Sequence, residues 1–525
     1  MTGKARSPWV ALSALCLGFF MIMVDTTIVN IAVPVILDDL DAGLDDVLWV
    51  ANAYVLTYAA LLITAGRLGD LFGQKRVYLA GLVVFAAASA WCGLADDVGP
   101  LIAARAVQGL GAALLTPQTT AFIALLFPRE RRGAAYGMWS GVAGLGTITG
   151  PLLGGVVVTR YGWEWLFFLN VPVGVVCLVL VAVLVPGHAA RRRRGLDLPG
   201  IALVSAGLFA LAFGLVEGER YGWGTVVGPV TIPGVLVAAL VLLGLFAWQQ
   251  WRSRDPLIPA ALLRHRNFVL SNVVVVLVMT SMAGSLLLLT LYLQTALGLS
   301  PLRAGLTTAP LSAAFGLVGI FAGRRSDAHN SKSLLLFGLV VYTAGLAATA
   351  WVARPEVSPW SLTGPMLVCG VGLGCVFAPM SNLALGQLDR SLAGAASGVY
   401  NTTRQVGNVL GNAAFGALLQ ALFTSRAGRL GPEAAERLPA GARETFTDEV
   451  DRTASGGVEA TTTAGADVTG ELPTRTAERF QDSLTGVLTQ GLSEALRLSM
   501  LGAAALAACA AVCCLALRRG TSGAG

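Results

Sequence analysis

The 525-residue chain is 55% hydrophobic and only 13% charged, with a mean hydropathy of +0.70, more apolar side chain than a soluble protein of this length can place in a core. It reads as an integral membrane protein, which excludes a soluble globular or disordered chain. The net charge of +6 reflects a sidedness of the loops, so no nucleic-acid partner is read from it.

Cut at its charged and Pro/Gly-rich breaks, the sequence yields fourteen runs approaching the roughly 20 apolar residues that a bilayer-crossing helix needs. They fall near 9–33, 47–66, 77–95, 100–122, 134–158, 165–186, 198–217, 228–248, 268–293, 302–323, 333–353, 361–384, 394–423 and 496–517. The first is too long, with the wrong flanks, for a cleaved signal peptide. Every second connection is basic: Lys4/Arg6, Lys75/Arg76, Arg129/Arg131/Arg132, Arg191 to Arg194, Arg252/Arg254/Arg264/Arg266, Arg324/Arg325/Lys332 and Arg518/Arg519. Lys and Arg accumulate on the cytoplasmic side, so both termini are expected in the cytoplasm and the chain in the cytoplasmic membrane. The alternate connections are acidic or near neutral, the first holding Asp38, Asp39, Asp41, Asp45 and Asp46. All eight cysteines lie in apolar spans, without disulfide or zinc spacing, and read as packing residues.

Within the first span stands Asp25, a lone carboxylate at membrane depth, where an ionisable group is costly and marks an ion or substrate pathway by default. Span 4 carries Arg105-Ala-Val-Gln108-Gly109-Leu-Gly111. Span 1 runs outward and span 4 inward, so a rise of about 1.5 Å per residue puts Arg105 and Asp25 both in the outer half of the bilayer, where they could pair. The alternative reading of that pair is a structural ion bridge.

The sequence also repeats. Gly133-Ala-Ala-Tyr-Gly137, followed by Gly146, Gly150 and Gly155, recurs 261 positions later as Gly394-Ala-Ala-Ser-Gly398, followed by Gly407, Gly411 and Gly416. Gly66-Arg-Leu-Gly-Asp70 with Lys75 matches Gly323-Arg-Arg-Ser-Asp327 with Lys332 at an offset of 257. Two six-helix halves are expected, residues 1–190 and 255–525, with two inserted helices in 191–254; parallel halves of this kind are a transporter architecture with a site at their interface. Residues 424–495 form a polar outer loop, with twelve acidic and seven basic residues between Arg426 and Glu494. It reads either as an external lid or cation-attracting mouth, or as a tolerated, partly disordered insertion.

Gly66-Arg-Leu-Gly-Asp70-Leu-Phe-Gly73-Gln-Lys75-Arg76 makes a tight cytoplasmic turn between spans 2 and 3. Its glycines allow close approach, and Asp70 near a helix start can meet a positive dipole and basic neighbours, a charged clasp that could hold the cytoplasmic side shut. Here the chain resembles the major facilitator superfamily, although Leu71 replaces the basic residue that many members have. By that resemblance Arg105 takes a proton-coupling role with Asp25. The conformational gate would comprise Gly66, Asp70, Gly73, Lys75, Arg76 and, through the repeat, Asp327. The string Gly141-Val-Ala-Gly144-Leu-Gly146-Thr-Ile-Thr-Gly150-Pro151-Leu-Leu-Gly154-Gly155 permits close helix contact and a bend at proline. It is similar to the antiporter motif of exporters in the superfamily.

Further strings narrow the family: Asp25-Thr-Thr-Ile-Val-Asn30-Ile-Ala-Val-Pro34, Trp49-Val-Ala-Asn52-Ala-Tyr54, Trp163-Glu-Trp-Leu-Phe-Phe-Leu-Asn170-Val-Pro172, Asp255-Pro-Leu-Ile-Pro259 and Asn401-Thr-Thr-Arg404-Gln405-Val-Gly407. They resemble the fourteen-span drug:proton antiporter family, of the kind found in actinobacterial antibiotic efflux and self-resistance; Glu164 stands where an Arg is common. The resemblance implies an all-α major facilitator fold and proton-driven efflux of hydrophobic antibiotics, with protons and membrane lipid as further partners and a monomeric chain.

No histidine lies in a span, since His188, His265 and His329 fall in loops, so proton coupling passes to Asp25. Burial favours a protonated carboxyl and a nearby Arg an ionised one, so movement relative to Arg105 could load and release a proton. Candidate walls of the substrate cavity are the polar and aromatic residues Asn30, Asn52, Tyr54, Tyr58, Gln108, Trp139, Arg404 and Gln405. Arg404 near mid-membrane, with no acidic residue in span 10, favours neutral or anionic amphiphiles over dications; its alternative role is a snorkelling or helix-bridging residue. Rival functions are export of an endogenous lipid or secondary metabolite and a non-transporting sensor or scaffold. No nucleophile–base set, metal cluster or phosphate loop points to an enzyme, an ATP-driven pump or a bound cofactor.

Overall fold

The computed structural model describes residues 7–187, 197–253, 255–328, 330–354, 357–456 and 474–518. Lys4, Arg6, His188, Arg191 to Arg194, Arg254, His329 and Arg519 lie outside the described residues. The described chain is helical almost throughout, because in a bilayer a helix satisfies its backbone N–H and C=O groups within its own segment. In chain order the helices are α1 (Pro8–Asp39), α2 (Leu44–Phe72), α3 (Gln74–Gly93), α4 (Val98–Leu126), α5 (Arg132–Tyr161), α6 (Glu164–Phe168), α7 (Asn170–Leu184), α8 (Leu198–Val216), α9 (Ile232–Arg252), α10 (Ala260–Arg264), α11 (Arg266–Leu291), α12 (Pro301–Ala328), α13 (Ser331–Val352), α14 (Thr363–Leu385), α15 (Ala393–Ala435), α16 (Arg443–Ser455) and α17 (Thr474–Leu515). A small hairpin, β1 (Thr225–Val227) with β2 (Val230–Thr231), joins α8 to α9.

Local chemistry sets the breaks. Gly73 ends α2 and opens α3 at φ +90°, a backbone angle that favours glycine. The side chains of Asp97 and Thr231 accept from the N–H groups of Gly99 and Gly234, capping α4 and α9.

Among the described residues thirteen helical segments are long and apolar enough to cross a membrane, one fewer than the fourteen expected. The span expected at 134–158 lies in the continuous 30-residue α5 and is not among the thirteen.

One set of helix pairings occurs twice. α2 on α4, α3 on α4, α1 on α5 and α7 on α3 recur as α12 on α14, α13 on α14, α11 on α15 and α17 on α13. Fine contacts follow the same rule, Gly111 lying against the Phe85 backbone as Gly372 lies against that of Tyr342. The two sets meet along α5 with α12 and α2 with α15. Helix α8 packs on α9 and bridges α2 and α15 through Leu56, Ala212, Phe213 and Val409. Helix α9 turns most of its apolar surface outward, Trp251 being 90% exposed, as a helix that faces lipid can.

Where it is described, the segment expected as a polar loop is helical. Residues 424–435 continue α15, α16 lies between, and residues up to 495 form the first half of α17. Phe446 and Phe480 meet edge to face at 5.2 Å in a core shared with Val450, Ala454 and Leu484. Residues 457–473 of the expected loop lie outside the described residues.

Candidate functional site

Asp25 lies on the side of α1 that faces α4 and α7, and it is fully buried. Its Oδ2 is 2.7 Å from Arg105 Nη1, while Oδ1 accepts from Gln108 Nε2 at 2.9 Å and from Asn170 Nδ2 at 2.8 Å. The 3-residue step from Arg105 to Gln108 puts both on one face of α4, and Arg105 Nη1 also donates to Gln108 Oε1 at 2.6 Å. Arg105 Nε donates to the Val50 carbonyl of α2 at 3.1 Å, and the guanidinium lies 4.3 Å from the Tyr54 ring centroid. Asn170 further donates to Ser89 Oγ at 3.1 Å, and Ser89 to the Phe167 carbonyl at 2.9 Å. A carboxylate so ringed is stable where a bare one is not, since removing one partner of a buried ion pair costs about 3–5 kcal/mol. Four helices, α1, α2, α4 and α7, are thus tied to one ionisable group.

The second constellation closes the end of the bundle that carries Lys75, Arg76 and Arg131. Asp70 was expected near a helix start; it lies instead in the last turn of α2, and the helix start it meets belongs to α15. Its two oxygens accept from the N–H groups of Gly394 at 3.1 Å and Ala395 at 2.9 Å. Asp327, in the last turn of α12, accepts from Gly133 at 2.6 Å and Ala134 at 2.7 Å at the start of α5. Carboxylates at helix N-termini are favoured by unpaired N–H groups and the helix dipole. Gly66 permits the approach: a Cβ there would lie 2.6 Å from the Gly394 carbonyl oxygen. Arg132 adds a further tie, donating to the carbonyls of Gly386 at 2.6 Å and Ala124 at 2.8 Å. Lys75 reaches the Ala182 carbonyl at 2.8 Å rather than Asp70, and Arg76 is exposed.

Helix α5 divides its glycines between two neighbours. Gly141 and Gly144 face Ile320, Phe315 and Gly316 of α12, while Gly146 and Gly150 face Met23 and Thr27 of α1. Gly154 is buried and Gly155 faces open space. Asn30 and Pro151 fall on α1 and α5, with side chains outside the described set.

The expected wall residues separate. Gln108 is wholly buried, its amide held against Asp25. Asn52 turns instead to α8, where its amide donates to Glu217 Oε1 at 2.7 Å. Tyr54 is buried over Arg105, Tyr58 donates to Thr116 Oγ1 at 3.3 Å, and Gln405 is half-buried. Trp139 is buried and stacked on Phe19 at 4.9 Å; the Arg404 guanidinium lies 4.7 Å from the Trp139 ring centroid and 5.4 Å from that of Phe377.

A family model described as Major Facilitator Superfamily matches residues 15–412, from α1 into α15. The chain belongs to the Major Facilitator Superfamily. It is 42% identical over 414 residues to an uncharacterized MFS-type transporter of Mycobacterium tuberculosis (strain ATCC 25618 / H37Rv), covering 79% of this chain and 71% of that protein. It is 33% identical over 517 residues to the tetracenomycin C resistance and export protein of Streptomyces glaucescens, covering 97% and 92%. A crystal structure of a double-Trp mutant of XylE shares the fold at a TM-score of 0.61, with 12% identity and 98% of both chains covered.

This superfamily transporter thus has an all-α, multi-pass membrane fold, and several of its buried polar groups were not singled out from sequence. Asn170 is an amide between apolar residues ahead of Pro172, and only packing brings it to Asp25. Ser89 gave no signal. Glu217 was placed at the end of a span; it is 1% exposed and held by Asn52 and Arg220, the latter at 3.1 Å.

Proposed function

We propose that the chain exports hydrophobic antibiotics or similar toxic compounds through the cytoplasmic membrane while protons move inward. Asp25 carries the reading: a fully buried carboxylate whose charge holds Arg105, Gln108 and Asn170. Protonating it removes the charge that those donors stabilise, so proton loading and loosening of α1, α4 and α7 become one event. Arg105 then leans on the Val50 carbonyl and the Tyr54 face, which couples the change to α2.

The basic end of the bundle is the cytoplasmic one on the positive-inside rule, with both termini there. A cytoplasmic end clasped by Asp70 and Asp327 is what an exporter needs while drug leaves to the outside and protons enter. Release of the clasp lets residues 1–190 rock against 255–525, with 191–254 as the inserted pair, in a single chain surrounded by lipid. The relative whose name joins tetracenomycin C resistance with export supports the drug reading. The same name favours a second reading, export of a secondary metabolite.

The test is drug susceptibility across an antibiotic panel in an efflux-deficient host making wild-type protein or Asp25→Asn at matched membrane levels. Resistance that disappears in the variant supports the reading. Unchanged resistance removes Asp25 from the mechanism, and no wild-type resistance turns the assignment toward an endogenous compound.

A further inference from the structure

We propose that Arg404 binds the anionic group of an aromatic substrate, a carboxylate or phenolate that meets the guanidinium edge between Trp139 and Phe377. This rests on the efflux reading for its setting and names the class of compound taken at the seam between the two sets of helices.

Arg404 lies on α15 where the two sets of helices meet. Its partners come from both, Trp139 from α5 and Phe377 from α14, with ring centroids at 4.7 and 5.4 Å. Both rings lie within cation–π distance of the guanidinium, and neither offers an oxygen or nitrogen acceptor lone pair to its N–H donors. Of those donors, only Nη1 makes a hydrogen bond to a described residue, a long one of 3.5 Å to Asn401 Oδ1 one turn away. Nε is buried without a partner, and no carboxylate lies within ion-pair reach among the described residues.

Arg105 shows the contrast. It meets Asp25, Gln108 and the Val50 carbonyl, and its charge is answered from within the protein. Among the described residues no ion pair answers Arg404: α4, α5, α11, α13 and α14 contain no acidic residue, Asp70 of α2 and Asp327 of α12 accept from backbone at helix starts, and both Asp25 oxygens are occupied. The internal repeat places Ala143 opposite Arg404, 261 positions earlier, so the cation is not a duplicated feature of the fold.

A half-buried charge with a buried, unpaired donor is costly, and a ligand that brings the matching anion recovers that cost on binding. The planar fork of Arg takes a carboxylate through two parallel N–H bonds, a geometry that Lys lacks. The aromatic walls suit a flat ring attached to that group, and a cationic compound meets like charge.

The probes are 9-anthracenecarboxylate and 9-anthracenemethanol, one ring system with and without the anion. Their binding to full-length protein in lipid nanodiscs is read from ring fluorescence against empty discs, for wild type, Arg404→Gln and Arg404→Lys. Arg404→Gln is expected to weaken the carboxylate about tenfold or more and the alcohol less than about threefold, the range for a lost charged hydrogen bond. Arg404→Lys, which keeps the charge, is expected to weaken the carboxylate by less, and it serves if the Gln variant does not fold. Equal loss of both probes at an unchanged melting temperature overturns the proposal in favour of an aromatic staple, as does a carboxylate that ignores all substitutions.

The two readings fail separately. Wild type that confers resistance to neutral antibiotics but ignores the carboxylate overturns the anion site alone. Arg404-dependent carboxylate binding in a protein that confers no resistance supports the site and counts against antibiotic efflux.

Discussion

Asp70 and Asp327, 257 positions apart, perform the same act in opposite directions: each carboxylate ends a helix of one set and caps the first turn of a helix in the other. The two caps close one end of the transporter as a reciprocal pair. A charged N-terminal cap is worth about 0.5–2 kcal/mol, so losing one shifts an open–closed equilibrium by about 2- to 30-fold.

Asp70→Ala should therefore open the clasped end. A cysteine placed at Thr120, whose hydroxyl accepts from Asn401 across the interface at 3.1 Å, should be alkylated from that side faster than in the parent. Asp327→Ala should act in the same direction, and the pair together more than either. An unchanged alkylation rate in both variants would rule out the clasp.

Gly66→Val should act more strongly than either. Its branched Cβ meets the Gly394 carbonyl, where a Cβ would come to 2.6 Å, so backbone must move before the end can close. Export should fall to near background while the protein still reaches the membrane, which cell-surface quantification and flux in the same cells would check.

Asn170→Leu tests the ring around Asp25. It removes one donor at 2.8 Å and leaves the Arg105 and Gln108 contacts in place. Proton-driven export should fall by about tenfold, in line with about 1.5–3 kcal/mol for a hydrogen bond to a charged group. Equilibrium drug binding should stay nearly constant, and flux in proteoliposomes with an imposed pH gradient separates the two.

Asn52→Leu separates structure from transport. It leaves the buried Glu217 with Arg220 alone, at a cost of about 1–3 kcal/mol for the lost partner. Thermal unfolding should begin at lower temperature, while export per molecule at the growth temperature should hold. A loss of export at unchanged stability would instead place Asn52 in the pathway.

Phe446→Ala probes the helical segment proposed to lie outside the membrane. Removing a fully buried ring that packs on Phe480 costs about 3–5 kcal/mol locally, so added protease should cut near α16 sooner than in wild type. Intact cells treated with external protease would report it by fragment size.

Much of this was legible in the sequence because it is written locally. Asp25 stands out against its apolar neighbours, and the repeat of Gly133-Ala-Ala and Gly394-Ala-Ala can be found by eye. That Asp70 meets the second of those strings and Asp327 the first was not legible. A repeat shows that two segments are alike and does not say which copy each one touches.

The sequence by itself determined a membrane-embedded helical transporter fold, an isolated carboxylate at membrane depth and a paired arginine within reach of it. Helix length, hydropathy and loop charge are local quantities, and bilayer insertion acts on them segment by segment. Only the tertiary structure decided that Gln108 packs against Asp25, that Asn52 holds Glu217, and that Arg404 lies against Trp139 and Phe377. Each depends on how a helix is rotated about its axis. That rotation is set by close packing against helices tens to hundreds of residues away, which no local pattern records.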